Sequence, residues 1–300
     1  MAALAGYYKI DEQSAITASL RYFNLGTIQF TDFSGNNIST GKPSELGVDV
    51  GYSRKLSEKW GVGASLRYIN SNLARGYSNS SGVTYKPANT VAGDIGFYYN
   101  GVNDLGKGLR AGLSLSNLGG KVSYTGNAQE KDYIPANLGL GVSYTLVPDE
   151  NSKIMFGLEI NKLLVPTPPQ SKSLTGDSAE DVLIEQENEK ALFDYRNKGV
   201  VNSWFSSFGD SNQEFKELQF SLGAEYSYAD QFFVRAGYFY EDKTKGNRKY
   251  FSAGVGIKFN VFGLNFAYIV PSGNGTNKNP LSNTLRFSLL FDFANATASE

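Results

Sequence analysis

The sequence predicts an all-β fold, a transmembrane antiparallel β-barrel of about 14 strands in the full protein with thirteen of them present here. Three observations lead there. Residues 217–240 alternate with a period of two: Leu218, Phe220, Leu222, Ala224, Tyr226 and Tyr228 face one way, and Glu217, Gln219, Ser221, Gly223, Glu225 and Ser227 the other. After a short turn at 229–231 the alternation resumes through Phe232, Val234, Ala236, Tyr238 and Tyr240, giving a hairpin whose arms of about ten residues match a tilted membrane crossing. Composition is the third observation: 19 Tyr, 20 Phe and 33 Gly among 300 residues, with no Cys and no His, suit aromatic girdles outside and small residues inside.

The same alternation can be followed along the chain. Residues 1–10 read as a strand, followed by Ile16, Ala18, Leu20 and Tyr22 on one face with Arg21 on the other, and then a Gly/Ser/Asn-rich loop at 30–42. Leu46, Val48, Val50 and Tyr52 return as Trp60, Val62, Ala64, Leu66 and Tyr68, with Asp49 and Arg67 as expected neighbours on the polar face. After a polar loop at 71–86, Val91 to Tyr99 pair with Leu109 to Leu115, and Asp94 and Arg110 repeat the acidic and basic arrangement. A loop at 119–133 leads to the hairpin of Ala136 to Tyr144 and Ile154 to Ile160. Beyond 217–240 come Phe251 to Phe259, Leu264 to Val270, a polar loop at 272–281 and a last strand from Leu285 to Phe293. Within the strands, Gly61-Val62-Gly63 and Gly254-Val255-Gly256 read as space for large side chains opposite, not as phosphate loops.

Short and long connections alternate, as in outer-membrane barrels with tight periplasmic turns and longer external loops. No run of about 18 apolar residues is present to form a helical span. A mean hydropathy of -0.31 fits a barrel with polar loops and a polar interior. Net charge is -1, which gives no reason to invoke nucleic acid. Thirteen strands are one short of an even number, and residues 1–10 show no secretory signal; the expectation is one barrel over 1–300, truncated at its start, with both termini of the full-length protein periplasmic. A soluble β-sandwich would expose abundant Lys and Glu on its polar face, whereas this one is mostly Gly and Ser with isolated charges. Asp49, Arg67, Asp94, Arg110, Glu225 and Arg235 are therefore expected as charge pairs facing the lumen.

Residues 165–216 break the rhythm and are too long for an ordinary connection. They are expected to form a long extracellular loop, with Pro166, Pro168 and Pro169 stiffening its exit and an acidic stretch from Asp177 to Glu189 that reads as disordered. Val200, Val201, Trp204, Phe205 and Phe208 supply apolar anchors for a partner, or a cap over the barrel mouth. Without His or Cys the common nucleophile–base pairs and soft metal sites are missing, so no enzyme, cofactor or metal site is expected.

Several segments carry a family likeness. NKLLVPTPP at 161–169 and IPANL at 134–138, with SLRYFNLGTIQFTD at 19–32, SLRYINSNL at 65–73, LSLSNLGGKVSYT at 113–125, GYFYEDKTKGNRKYF at 237–251 and NPLSNTLRFSLL at 279–290, resemble the PorV family of the type IX secretion system of Bacteroidetes. That family is similar in turn to FadL-type transporters. The resemblance implies an outer-membrane protein that accepts secreted cargo through its C-terminal signal domain at the translocon and delivers it to the surface attachment proteins. Partners would be cargo C-terminal domains, the type IX translocon, the attachment proteins and membrane lipids. A FadL-like importer of hydrophobic molecules and a porin are the alternatives, and a charged lumen argues against a greasy channel.

Overall fold

Alternation of large apolar and small polar residues organises thirteen segments of the described chain into one twisted sheet. The computed structural model describes residues 1–31, 34–73, 83–125, 131–210, 214–270 and 284–293. Among them thirteen strands follow one another, each antiparallel to the next: β1 (Ala2–Lys9), β2 (Ser14–Asn24), β5 (Ser44–Lys55), β6 (Trp60–Asn72), β7 (Ala88–Val102), β8 (Gly108–Gly119), β9 (Asn137–Leu146), β10 (Ser152–Leu163), β11 (Leu218–Tyr228), β12 (Phe232–Tyr240), β13 (Lys249–Phe259), β14 (Phe262–Val270) and β15 (Leu285–Phe291). β1 and β15 form the two edges and are not paired with each other. No described helix is long and apolar enough to cross a membrane.

Tight turns fix the registers. Between β11 and β12, Ala229 and Asp230 both take positive φ (53° and 52°), and Gln231 N–H donates to Tyr228 C=O. Two such residues in succession give a turn whose twist matches that of the flanking strands. Lys153 on the neighbouring strand holds Asp230 at 2.6 Å.

The faces are inverted relative to a water-soluble protein. Val50, Leu66, Leu222, Val255 and Phe287 project from the outer side and are exposed, whereas Asp49 on the opposite side is 7% exposed. The sheet curls around that polar side. One cavity of about 670 Å³ is lined from eight consecutive strands and includes Arg110, Glu159, Glu225, Arg235 and Asn265. Charged groups inside and large apolar groups outside suit a wall bathed in hydrocarbon.

Two regions differ from the sequence expectation. The loop at 30–42 contains a separate hairpin of β3 (Ile28–Thr31) and β4 (Asn37–Gly41). The long connection at 165–216, whose acidic stretch reads as disordered, contains α1 (Ser178–Asn197), α2 (Val200–Ser206) and the start of a 3₁₀ turn at Glu214–Glu217. Local chemistry explains α1: the Asp177 side chain caps Ala179 N–H, Glu180 and Asp181 lie in the positive first turn, and Arg196 lies in the last. It forms from capping and good helix formers, with no buried residue and no apolar stripe. The expected polar loop at 272–281 lies outside the described residues, as do 74–82 and 126–130 of the loops at 71–86 and 119–133.

Candidate functional site

Charges on the inner face are joined in networks. Asp49 accepts from Ser19 Oγ (2.8 Å), from Arg21 Nη2 (2.9 Å) and from Arg67 Nε. Arg67 opposes Asp49 in register and spans onward, donating to Asp94 Oδ2 (2.6 Å) and to Asn117 Oδ1. On the far side of the sheet Glu225 opposes Arg235, whose Nε donates to it, while Arg235 Nη1 reaches Asn265 Oδ1 at 2.8 Å.

The expected Asp94 and Arg110 pairing is not formed. Arg110 faces Asn100 across the β7–β8 ladder and donates to Thr145 Oγ1 at 3.3 Å. Asp94 sits some six residues further along, at a bulge where Ser116 and Asn117 oppose it together. Asn117 adopts φ 56°, which turns its N–H onto Asp94 Oδ1 at 2.7 Å. Sequence pattern could locate both charges on one face but gave no sign of the bulge.

At the end of the long connections the inner face becomes apolar. Val122 and Ile134 of the β8–β9 loop are buried on Ala88 and Ala92, with Ile69 and Tyr124 beside them. Tyr124 hydroxyl donates to Ser71 Oγ, which donates to Glu45. Val122, Tyr124 and Ile134 thus lie against the inner face.

The same loop grips the end of α1. Lys121 Nζ donates to Arg196 C=O (2.6 Å) and Lys198 C=O (2.8 Å), and Tyr133 hydroxyl donates to Tyr195 C=O and Lys198 C=O. These are the carbonyls a helix C-terminus leaves without partners, where the macrodipole favours a cation. The Tyr133 and Tyr195 rings meet edge to face, and the Lys121 ammonium lies 4.1 Å from the Tyr133 ring centre. Burial holds the Lys121 ammonium below its usual pKa, with Lys131 adding to the effect, and burial raises both tyrosines.

A second clamp closes the segment. Lys162 Nζ donates to Glu214 (2.9 Å) and Glu217 (2.5 Å), and Lys245 Nζ to Glu217 at 2.7 Å. Burial pushes the Glu217 carboxyl upward, but hydrogen bonds and attraction from Lys162 and Lys245 outweigh it and lower the pKa to about 2. Asp210 completes a three-carboxylate group and accepts from Thr167 N–H at 2.7 Å. With an ammonium bridging two of its three members, this group is an ion-pair cluster.

Of the expected partner-binding residues, Pro166 is buried, Pro168 is exposed and Pro169 is intermediate, so the rigid run leaves the sheet with one end anchored. Val200 and Trp204 are half-buried on α2, while Val201, Phe205 and Phe208 are exposed. Two contributors escaped sequence reasoning. Lys121 and Lys162 stand at a loop start and a strand end, positions that carry no pattern of their own.

The family model described as type IX secretion system protein PorV matches residues 1–170, more than half of the chain. The chain belongs to the PorV family. It is thus an outer-membrane protein of type IX secretion with a β-barrel fold. Among solved structures, this PorV-family chain is similar to the toluene transporter TodX of Pseudomonas putida, with 12% identity over 96% of this chain and 79% of that one and a TM-score of 0.49. A FadL homologue of Pseudomonas aeruginosa shows 10% identity over 96% and 74% of the two chains, with a TM-score of 0.42. No curated protein sequence matches significantly. The PorV match ends just past the proline run, so α1 and α2 lie beyond the matched residues.

Proposed function

We propose that this protein binds the C-terminal signal domain of secreted cargo at the type IX translocon and carries it to the surface attachment machinery. The family supplies the context, and the observation that supports the reading is the clamped arm formed by α1. A 20-residue helix with no buried residue is tied at its C-terminus by Lys121 and Tyr133, which keeps Val182, Leu183, Leu192 and Phe193 in reach of a partner. Holding such a surface in place before binding lowers the ordering cost of association. In this reading residues 165–216 form an extracellular loop of a single barrel, and the prolines fix the direction in which the arm leaves the wall.

The inner face supports binding outside the lumen. Asp49, Arg67 and Asp94, and Glu225 and Arg235, are engaged with one another, and Val122 and Ile134 pack on Ala88 and Ala92 of the same face. A greasy import channel and an open porin both need a different interior.

Pull-down of a purified cargo C-terminal domain by the full chain, and by a variant with residues 175–198 replaced by a short Gly-Ser linker, tests the role of α1. Retained binding in the linker variant would remove α1 from the interaction. In planar bilayers we expect no steady conductance, and a sustained open channel would argue for a porin instead.

A further inference from the structure

Lys162 stands on the wrong side of the wall. In the two ladders of β10 it is level with Leu138 of β9 and Leu218 of β11, and the next outward row holds Ile160, Leu140 and Phe220. All of these belong to the outer, apolar side. A lysine there would present its ammonium at the rim of the hydrocarbon, where charge is costly. Instead the residue is 5% exposed. Glu214 and Glu217 accept hydrogen bonds from its ammonium, and the Phe208 ring centre lies 5.5 Å from Nζ. Phe208 and Glu214–Glu217 therefore lie against the outer flank of the wall at its long-connection end, in contrast to Val122 and Ile134 of the β8–β9 loop, which pack on its inner face.

α2 leads directly into this segment, and Phe208 N–H donates to Phe205 C=O. Its polarity is reversed. Ser203 and Ser207, one turn apart, are fully buried, with their hydroxyls donating to Val200 C=O and Trp204 C=O. Val201, Phe205 and Phe208, spaced four and three residues apart, face outward, with Phe205 73% exposed. A helix in water does the opposite. Phe215, between the two glutamates that hold Lys162, is 87% exposed.

The strands below show the same reversal, and the Phe208 ring beside Lys162 brings this segment to their outward row. We infer that α2 and the 3₁₀ turn form a membrane foot, with Val201, Phe205, Phe208 and Phe215 entering the lipid interface beside the outer ends of β10 and β11. A helix of seven residues is far too short to span, so it lies along the surface with its aromatic side down. Trp204, half-buried at the edge of this side, is of the residue type enriched at that depth. The inference rests on the membrane fold and not on the cargo-binding reading, so either can fail alone.

The chain has no cysteine, so single substitutions place a label uniquely. Nitroxides would be attached at Phe205→Cys and Phe215→Cys in the full chain reconstituted into phosphatidylcholine vesicles, with Leu66→Cys as a lipid-facing reference and Glu185→Cys on α1 as an aqueous one. Accessibility to oxygen and to a water-soluble nickel chelate is then read by power saturation. The foot predicts an oxygen-to-nickel ratio at 205 and 215 several-fold above that at 185 and approaching that at 66. A ratio equal to that at 185 would overturn it, as would labels that are nickel-accessible in vesicles and become shielded only when translocon proteins are added, which would make the patch a protein interface. Quenching by brominated lipid of Phe205→Trp in a Trp60→Phe, Trp204→Phe background gives an independent reading. Strong quenching supports insertion and its absence refutes it, even where a labelled variant folds poorly.

Discussion

Glu225 and Arg235 face each other directly across the β11–β12 ladder, ten residues apart in sequence and joined through Arg235 Nε on the inner face. The geometry follows from the three-residue turn at 229–231, centred on Asp230, which fixes every pair in that hairpin. Removing one member strands the other beside a polar but enclosed surface. Arg235→Ala should destabilise the protein by about 1–2 kcal/mol in denaturant titrations in detergent, because both side chains keep partial access to water. The exchange of Glu225→Arg with Arg235→Glu should recover most of the loss.

Asp49 accepts from Arg21, Arg67 and Ser19, and Arg67 is itself nearly buried. Asp49→Ala should cost about 3 kcal/mol, since it leaves the Arg67 guanidinium with a single carboxylate in a confined site. Arg21, about half exposed, should matter far less, with Arg21→Ala costing under about 1 kcal/mol in the same assay.

Acid should open the Lys162 clamp. Glu217 is held at a pKa of about 2 against an ordinary 4.5, so its folded form is the more acidic one. The stabilisation it gives is complete above the ordinary value and is lost as pH falls from there through about 2. Amide exchange at Glu214–Glu217, corrected for its intrinsic pH dependence, should therefore stay slow down to the ordinary carboxylate range and become faster as pH drops toward 2. Glu217→Gln should show the faster behaviour already at neutral pH.

The Lys121 contact with the α1 carbonyls is local. Lys121→Met should leave global stability within about 1 kcal/mol, because the β-sheet does not depend on it. Protease cleavage in the last turns of α1 should rise several-fold, and cargo capture should weaken with it. Unchanged cleavage would show that Tyr133 alone secures the helix.

What could be read in the sequence was whatever repeats. Period-two alternation located the strands, and the Glu225–Arg235 and Asp49–Arg67 neighbours followed from the centres of their short turns. The bulge at Asn117 could not be read, because it inserts a residue without altering the apolar pattern on either side, and it sent Asp94 to Arg67 instead of Arg110. α1 was hidden for a different reason: with no buried residue it shows no stripe, and its acidic composition resembles that of an unfolded tail. The Asp177 cap, with Glu180 three residues on, was the available signal. Lys162 could not be assigned a role from sequence, since its partners are about fifty residues away.

The unpaired margins of the sheet obey a parity rule. With thirteen strands alternating in direction, β1 and β15 point the same way, so one margin cannot zip antiparallel onto the other. An antiparallel seam between them would take an odd number of additional strands, one being the smallest, whereas a direct seam would be parallel. Any strand added at either margin would have to alternate so that its apolar positions continue the outward rows of Leu4 and Leu289.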